Sequence, residues 1–581
     1  MFDLVIKNGF ICDGTGKPMY DADIGITGDA ITYIGEISLP DGAEKGCRVI
    51  DAAGKTVTPG FIDPHTHVDQ SILAAPQLEP YLKQGVTTVV TGNCGYAMAP
   101  QGEEVFYYSD LDLEFLDMAG ADPFEQLSLI FDKEKAATAL AKRYGVDLDW
   151  QTFDEFNQKC DTLPLGCNLA PLIGYSAVRT AVMGGDCRRQ ATEGEIQDME
   201  IVVRDCMDTG AFGISTGRDP IYIPGPFATD EEMHRMVKIV ADSDGVFASH
   251  TFNRNQQRKP DRIAGYDEMV RQARGTGVKL NISHVHVMNM AQNGEDAVKA
   301  AKETLDYFDR LLALGTDLTY DVIPSATCAD YTLPSFGFFI RPLVLMEGTK
   351  RKLAELFRQE AFRQQVRTMV KDGKLPTLDE NSNTCWLGEF LITKHKNPAY
   401  RGKYLTHCAE ILRLPSLEGL MTIFAEDPDM AVCMAAPDFQ QAVDLLCSQE
   451  IAMPCSDGDS RSKDTNLSGN PEIEVYPNSM NIGYIPYYLN KYGEKNFPKA
   501  VSQASGFVAE RFGIEKRGVI KEGNFADLVI MDRGALRSFE AEENPLQDPE
   551  GILYVLVNGK IAVDHDVLTQ DAAGRVLRKK K

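Results

Sequence analysis

The sequence predicts an α/β fold: a (β/α)8, TIM-like barrel plus a small β-sandwich formed by the N- and C-terminal segments. Three observations carry this expectation. Between residues 58 and 514, short apolar runs alternate with helical stretches, the mark of a parallel sheet. Eight such runs can be counted, the number that closes a barrel. Outside that stretch both ends of the chain read as short strands joined by turns.

In chain order, the first 57 residues contain the apolar runs Leu4–Ile6, Ala22–Ile26 and Ala30–Ile34, separated by Gly- and Asp-rich turns. The C-terminal segment, 515–581, contains Phe525–Met531 and Ile552–Lys560. Neither end alone buries a sheet face, so 1–57 and 515–581 are expected to pair into one composite sandwich. The expected barrel strands are Thr56–His67, Thr87–Asn93, Asn168–Gly174, Ala211–Thr216, Val246–His250, Lys279–His284, Asp317–Val322 and Ile451–Ser456. Two connections exceed ordinary βα loops: about 97–165, acidic and aromatic, and about 325–450, mostly helical in pattern. Both are expected to shape a pocket or lid. The run Arg578–Lys581 reads as a frayed tail.

Composition narrows the function. The chain has 581 residues, 43% hydrophobic and 25% charged, enough for a large core. A net charge of −26 argues against nucleic acid and anionic membranes, because phosphate binding needs clustered Lys and Arg. The start Met1–Gly9 has no signal-peptide pattern, and no run reaches the roughly 18 apolar residues of a membrane helix. Thirteen cysteines without CxxC pairs fit reduced thiols in a cytoplasmic enzyme. Twelve read as small buried hydrophobes. The expected partner is a small-molecule substrate, and homo-oligomer formation is left open.

Every candidate chemical residue falls at the C-terminal end of an expected strand, where barrel active sites lie. His65 and His67 are two residues apart on an extended run, so both imidazoles should project to one side. Cys94 ends the next strand between Asn93 and Gly95, where a thiolate could ligate zinc. Ser249-His250 and Ser283-His284 end the fifth and sixth strands in the same small pattern. Histidines with one thiolate and an open position form the donor set of catalytic zinc. Asp457, ending the eighth strand, could move the proton of an attacking water, with Asp69 and Asp459 as competitors. His286 could face the same pocket, and His407 is left open; His234, His395 and His565 read as surface residues.

These motifs together resemble the amidohydrolase superfamily, in its D-aminoacylase (N-acyl-D-amino-acid deacylase) branch. The resemblance runs through Gly60–His67, Gly85–Gly95, Gly213–Gly217, Tyr222–Gly225 and Gly518–Val529, with Gly92-Asn93-Cys94-Gly95 the specific block. It implies a hydrolase of C–N amide bonds with one or two Zn2+ per chain. Cys94, His250 and His284 would hold the main zinc, His65 and His67 a weaker site, and Asp457 would be the acid/base. On the substrate side it points to His286, Asn478 and Tyr222. Two cationic anchors of the family differ: His286 stands where relatives carry lysine, and Tyr476-Pro477-Asn478 matches a His-Pro-Arg block. Arg341, Arg461 or Lys463 could substitute. The alternatives are a cyclic amide, ester or lactone as substrate, or a non-catalytic scaffold.

Overall fold

A computed structural model describes residues 2–38, 47–109, 112–124, 129–219, 222–251, 261–285, 294–326, 331–335, 340–375, 378–379, 387, 390–433, 439–462, 470–473, 480–539, 546–571 and 573–580. The chain folds as mixed α/β. Phe61–Asp63, Val86–Thr91 and Asn168–Pro171 form a three-stranded parallel sheet. Ile173–Gly174, Gly213–Gly217, Val246–His250, Lys279–Ile282, Leu318–Val322 and Ala452–Pro454 form a six-stranded one, again all parallel. Val86–Thr91 is buried at every position, the pattern of a strand covered on both faces.

The two sheets touch at both edges. The chain passes from one to the other through Leu172, whose N–H donates to Thr91 O at 2.9 Å. At the far edge Thr66 bridges Gly458 in parallel. There His67 N–H donates to Gly458 O at 2.7 Å, and Asp457 N–H to His65 O at 3.1 Å. The end of the last strand is thereby tied to the end of the first.

Helices flank the strands with strong start signals. Thr192 and Glu195 form a capping box for Glu193–Asp208, and Thr229 caps Asp230–Asp242. In the latter, Met233, Met236, Val237 and Val240 lie on one helical stripe and are fully buried.

The two ends of the chain share one nine-stranded sheet. Its order runs Val567–Leu568, Lys560–Asp564, Ile552–Val557, Leu528–Met531, Thr56–Pro59, Leu4–Ile11, Tyr20–Thr27 and Ala30–Gly35, with Arg48–Asp51 also on Leu4–Ile11. Ile6, Ile24, Ile26, Val57, Leu528 and Leu556 form its core.

Several expectations change here. The run Thr56–His67 is two strands, with Thr56–Pro59 in the terminal sheet and Phe61–Asp63 in the parallel one. Gly60 makes the crossing because a Cβ there would lie 2.0 Å from the Thr87 side chain. The stretch 325–450 adds a four-stranded sheet of Tyr331–Thr332, Leu391–Lys394, Lys403–Tyr404 and Ala431–Cys433 to its helices. The stretch 97–165 holds, among its described residues, the antiparallel pair Val105–Tyr107/Ile130–Asp132 and three helices.

The C-terminal tail is not frayed. Leu577 N–H donates to Leu169 O at 2.7 Å and Lys579 N–H to Gly210 O at 2.9 Å. Reading the tail by charge alone ignored Val576 and Leu577, which pack against the hydrophobic core. Among the described residues no helix is long and apolar enough to cross a membrane.

Candidate metal centre

His65, His67, Cys94, His250, His284 and Asp457 converge at the C-terminal ends of the parallel strands. The route for the first two differs from expectation. Pro64 cannot donate to a ladder, so the strand stops at Asp63. His65 and His67 therefore sit in the following turn rather than on a pleat, and His67 opens the helix Val68–Ser71. Their rings still stand edge to face at 5.6 Å. Both Nε2 atoms reach Asp457 Oδ1, at 3.3 Å from His65 and 3.1 Å from His67.

Cys94 Sγ lies 3.4 Å from His65 Nε2, 3.3 Å from His284 Nε2 and 3.9 Å from His250 Nδ1. His250 Nδ1 and His284 Nε2 are 2.8 Å apart. His65 belongs to two groups with metal-ligand spacing, His65–Cys94–His284 and His65–His67–Asp457. The backbone is strained at the convergence: Cys94, His284 and Asp457 have φ of 53°, 31° and 55°. Such non-glycine conformations cost about 1–3 kcal/mol each and cluster at functional sites.

The donor set fits a metal. Thiolate, imidazole and carboxylate are the ligands zinc takes. Facing ring nitrogens 2.8 Å apart need a proton or a cation between their lone pairs. His67 Nδ1 is buried with no hydrogen-bond partner.

The electrostatics agree. Burial pushes the Cys94 thiol up, but His65 and His284 outweigh it and hold it well below the usual thiol range. Burial also opposes charge on Asp457, yet His284, His65 and His67 bring its carboxyl down to about 2. Against burial, Asp457 and Cys94 raise His67 to about 10, and Asp219 and Cys94 raise His250 to about 9.

The competitors of Asp457 point elsewhere. Asp69 accepts from Gly92 N–H at 3.1 Å, and Asp459 from Arg461 N–H at 2.8 Å. Tyr222 lies beside the centre, its ring 4.2 Å from His250 and 5.1 Å from Tyr96, which faces His67 at 5.7 Å. His286, Lys463 and Asn478 lie outside the described residues. Arg341 is fully buried and donates to Pro334 O at 3.0 Å. His395 is buried rather than solvated, held between Ile423 O and Asn397 N–H in the helical stretch that encloses it. His407 and His565 are exposed, and His234 Nδ1 pairs with Gln272 O at 3.0 Å.

Four neighbours escaped the sequence reading. Asp219 Oδ2 takes His250 Nε2 at 3.0 Å. Asp63 accepts from His65 N–H at 3.0 Å and Ser456 N–H at 3.2 Å. Asp321 lies 3.0 Å from His65 Nδ1. Tyr96 completes the aromatic wall. Asp63, Asp219 and Asp321 all stand at or just past strand ends, the same positional signal that picked out the ligands.

Comparison with known proteins points the same way. The family described as "Amidohydrolase family" matches residues 48–222. D-aminoacylase of Alcaligenes xylosoxydans xylosoxydans is 28% identical over 576 residues, covering 99% of this chain and 97% of that one. A solved D-aminoacylase described as having a binuclear metal centre superposes with TM-score 0.68 at 26% identity, over 100% of both chains. N-acyl-D-glutamate deacylase from Bordetella bronchiseptica, solved with zinc and a phosphonate inhibitor, shares the fold at TM-score 0.67 and 24% identity, over 99% of each chain.

Proposed function

We propose that this metal-dependent hydrolase of C–N bonds, which matches the amidohydrolase family over residues 48–222, uses zinc to cleave the amide of an N-acyl amino acid or related small molecule. The observation that carries this reading is the position of Asp457. Its Oδ1 stands within 3.3 Å of two imidazoles of the ligand cluster while its side chain stays 29% exposed, open to a substrate.

Cys94, His250 and His284 would hold the main zinc, His65 and His67 would contribute to a second, weaker position, and Asp457 would be the acid/base. Zinc bound there supplies a polarised carbonyl and a water whose pKa falls to about 7. The Asp457 carboxylate is ionised at neutral pH, takes the water's proton at Oδ1 and returns it to the leaving nitrogen. His67 orients that carboxylate. Tyr96 and Tyr222 wall off one side of the centre, and the family resemblance alone assigns His286 and Asn478 to the substrate.

We read the two parallel sheets as one (β/α)8 barrel, residues 58–514, because the Thr66–Gly458 bridge ties its last strand to its first. The shared terminal sheet is the composite sandwich of 1–57 and 515–581. The eleven described cysteines are free thiols, which supports a cytoplasmic enzyme.

Zinc measured per chain, with turnover on N-acyl-D- and N-acyl-L-amino acids, uncharged amides, cyclic amides and lactones, tests the reading. At least one zinc and turnover of an N-acyl amino acid is expected. A preference for an uncharged or cyclic substrate would follow if the family's cationic anchors are truly replaced by His286 and Asn478. A zinc-loaded chain inert on the whole panel would sink the substrate assignment.

A further inference from the structure

Asp321 is the penultimate residue of the strand Leu318–Val322, fully buried, with hydrogen-bond donors converging on it from three directions. Asn281 Nδ2 donates to Oδ2 at 2.5 Å, and His284 N–H donates to Oδ1 at 2.6 Å. His65 Nδ1 lies 3.0 Å from the same Oδ1, off the best hydrogen-bond line. A fourth neighbour, the Cys455 thiol, is kept protonated by burial and by the carboxylates of Asp321, Asp63 and Asp457.

The Asn281 amide is itself fixed. A carboxylate only accepts, so the amide nitrogen faces Asp321, and Asn281 Oδ1 is left to accept from Thr319 Oγ1 at 2.9 Å. The relay Thr319–Asn281–Asp321 spans two adjacent parallel strands and ends on two members of the metal cluster. Its direction is set throughout: hydroxyl to amide oxygen, amide nitrogen to carboxylate.

We propose that Asp321 is a positioning residue that sets two zinc ligands at once, the ring of His65 and the backbone of His284. With the Nδ1 proton turned toward Asp321, the lone pair of His65 lies on Nε2, the atom 3.4 Å from Cys94 Sγ. His284 sits at φ 31°, a conformation few residues adopt, and its N–H is anchored on Asp321. His250 has a different arrangement. Its orienting carboxylate, Asp219, contacts its Nε2 and lies 13% exposed on a loop.

The inference rests on the zinc reading above, but its test does not depend on turnover. Asp321→Asn keeps the size of the side chain and removes one acceptor. If the amide oxygen faces His65 and His284, the amide nitrogen meets the nitrogen of Asn281. If it turns over, it meets the two donors of His65 and His284. Turning the Asn281 amide over relieves the first clash, with Thr319 Oγ1 accepting from it and donating to Leu280 O at 3.3 Å, so what the variant removes in either case is the negative charge that faces His65 and His284.

Zinc affinity by chelator competition and the absorption spectrum of the cobalt-loaded full chain are the readouts. Asp321→Asn should weaken zinc roughly 10–100-fold, the usual range for loss of an orienting partner, and change the cobalt spectrum. Wild-type affinity and an unchanged spectrum in a folded Asp321→Asn would overturn the proposal. Should that variant fail to fold, Thr319→Val decides, since it frees the Asn281 amide one bond further away. A several-fold loss of zinc affinity with an unchanged metal-free melting temperature supports the relay, and no loss overturns it. A wild type that binds zinc but hydrolyses nothing would end the hydrolase reading and leave this measurement intact.

Discussion

The two ends of the parallel strands carry ionisable side chains under opposite conditions. Where the chain leaves the strands, His65, Cys94, His250 and His284 are buried together, and three residues of the cluster sit at strained φ. Where the chain enters them, Asp244 is 72% exposed and pairs with Lys279 at 2.7 Å. Arg578 pairs there with Asp161 at 2.7 Å. Exposed pairs of this kind contribute about 0–1 kcal/mol, although Asp244 itself turns at φ 54°. A buried cluster with facing lone pairs and a bent backbone persists only where something else compensates it. One rim is built to be stable by itself, the other to be completed by a cation.

The largest expected effect breaks the chemistry and spares the metal. Asp457→Asn should lower kcat by about 10²–10⁴-fold, the usual contribution of a positioned acid/base, with zinc per chain unchanged. Loss of zinc together with activity would instead make Asp457 chiefly a ligand. Next comes the thiolate. At zinc a hundredfold above its Kd, a bound ion stabilises the wild type by about 2.7 kcal/mol, readable as a rise in melting temperature. Cys94→Ala should lose most of that rise, whereas a variant that keeps it would remove Cys94 from the ligand set.

The pH dependence sharpens the contrast further. In the metal-free chain His67 and His250 are raised from 6.5 to about 10 and about 9 by Asp457, Asp219 and Cys94, against the burial that opposes their charge. Their stabilisation is therefore full below about pH 6.5 and lost as pH climbs through about 9 to 10. Asp457 works in the other direction, stabilising above 3.8 and losing that contribution as pH falls toward about 2. Zinc needs neutral imidazoles and a thiolate, so its binding releases protons. The gap in melting temperature between zinc-loaded and metal-free protein should widen from neutral to mildly alkaline pH. A gap that narrows would contradict this assignment of the protons.

Strand ends made the candidate ligands legible in the sequence. A histidine or cysteine after an apolar run can be read in one dimension, and all six candidates of the cluster were found that way. The reason given for His65 and His67 did not hold, because Pro64 ends the ladder before them and a turn brings the rings together. Asp63, Asp219 and Asp321 were missed because each acquires its role from residues on other strands. Nothing in Thr319-Tyr320-Asp321 announces that Asn281 and His284 will point at it. His395 was misread because nothing in Lys394-His395-Lys396 announces that Ile423, distant in sequence, will cover the ring. The terminal sheet was easier, since alternating apolar runs at both ends need a partner and find each other.

The smallest expected effect lies on the other rim. Lys579 donates to Asp244 O at 2.7 Å, and its side chain is only 10% exposed although it stands near the chain end. Its backbone N–H already anchors the tail on Gly210, so truncating the side chain leaves the tail in place. Lys579→Ala should therefore cost about 1 kcal/mol, of which the share from its 3.4 Å pair with the exposed Asp244 carboxylate is screened at high salt. kcat and zinc content should be those of the wild type, because the substitution lies at the opposite ends of the strands from the metal cluster. Chemical denaturation at low and high salt, with one turnover measurement, checks both parts. A change in kcat would show that the two rims are coupled through the strands, contrary to the division drawn between them.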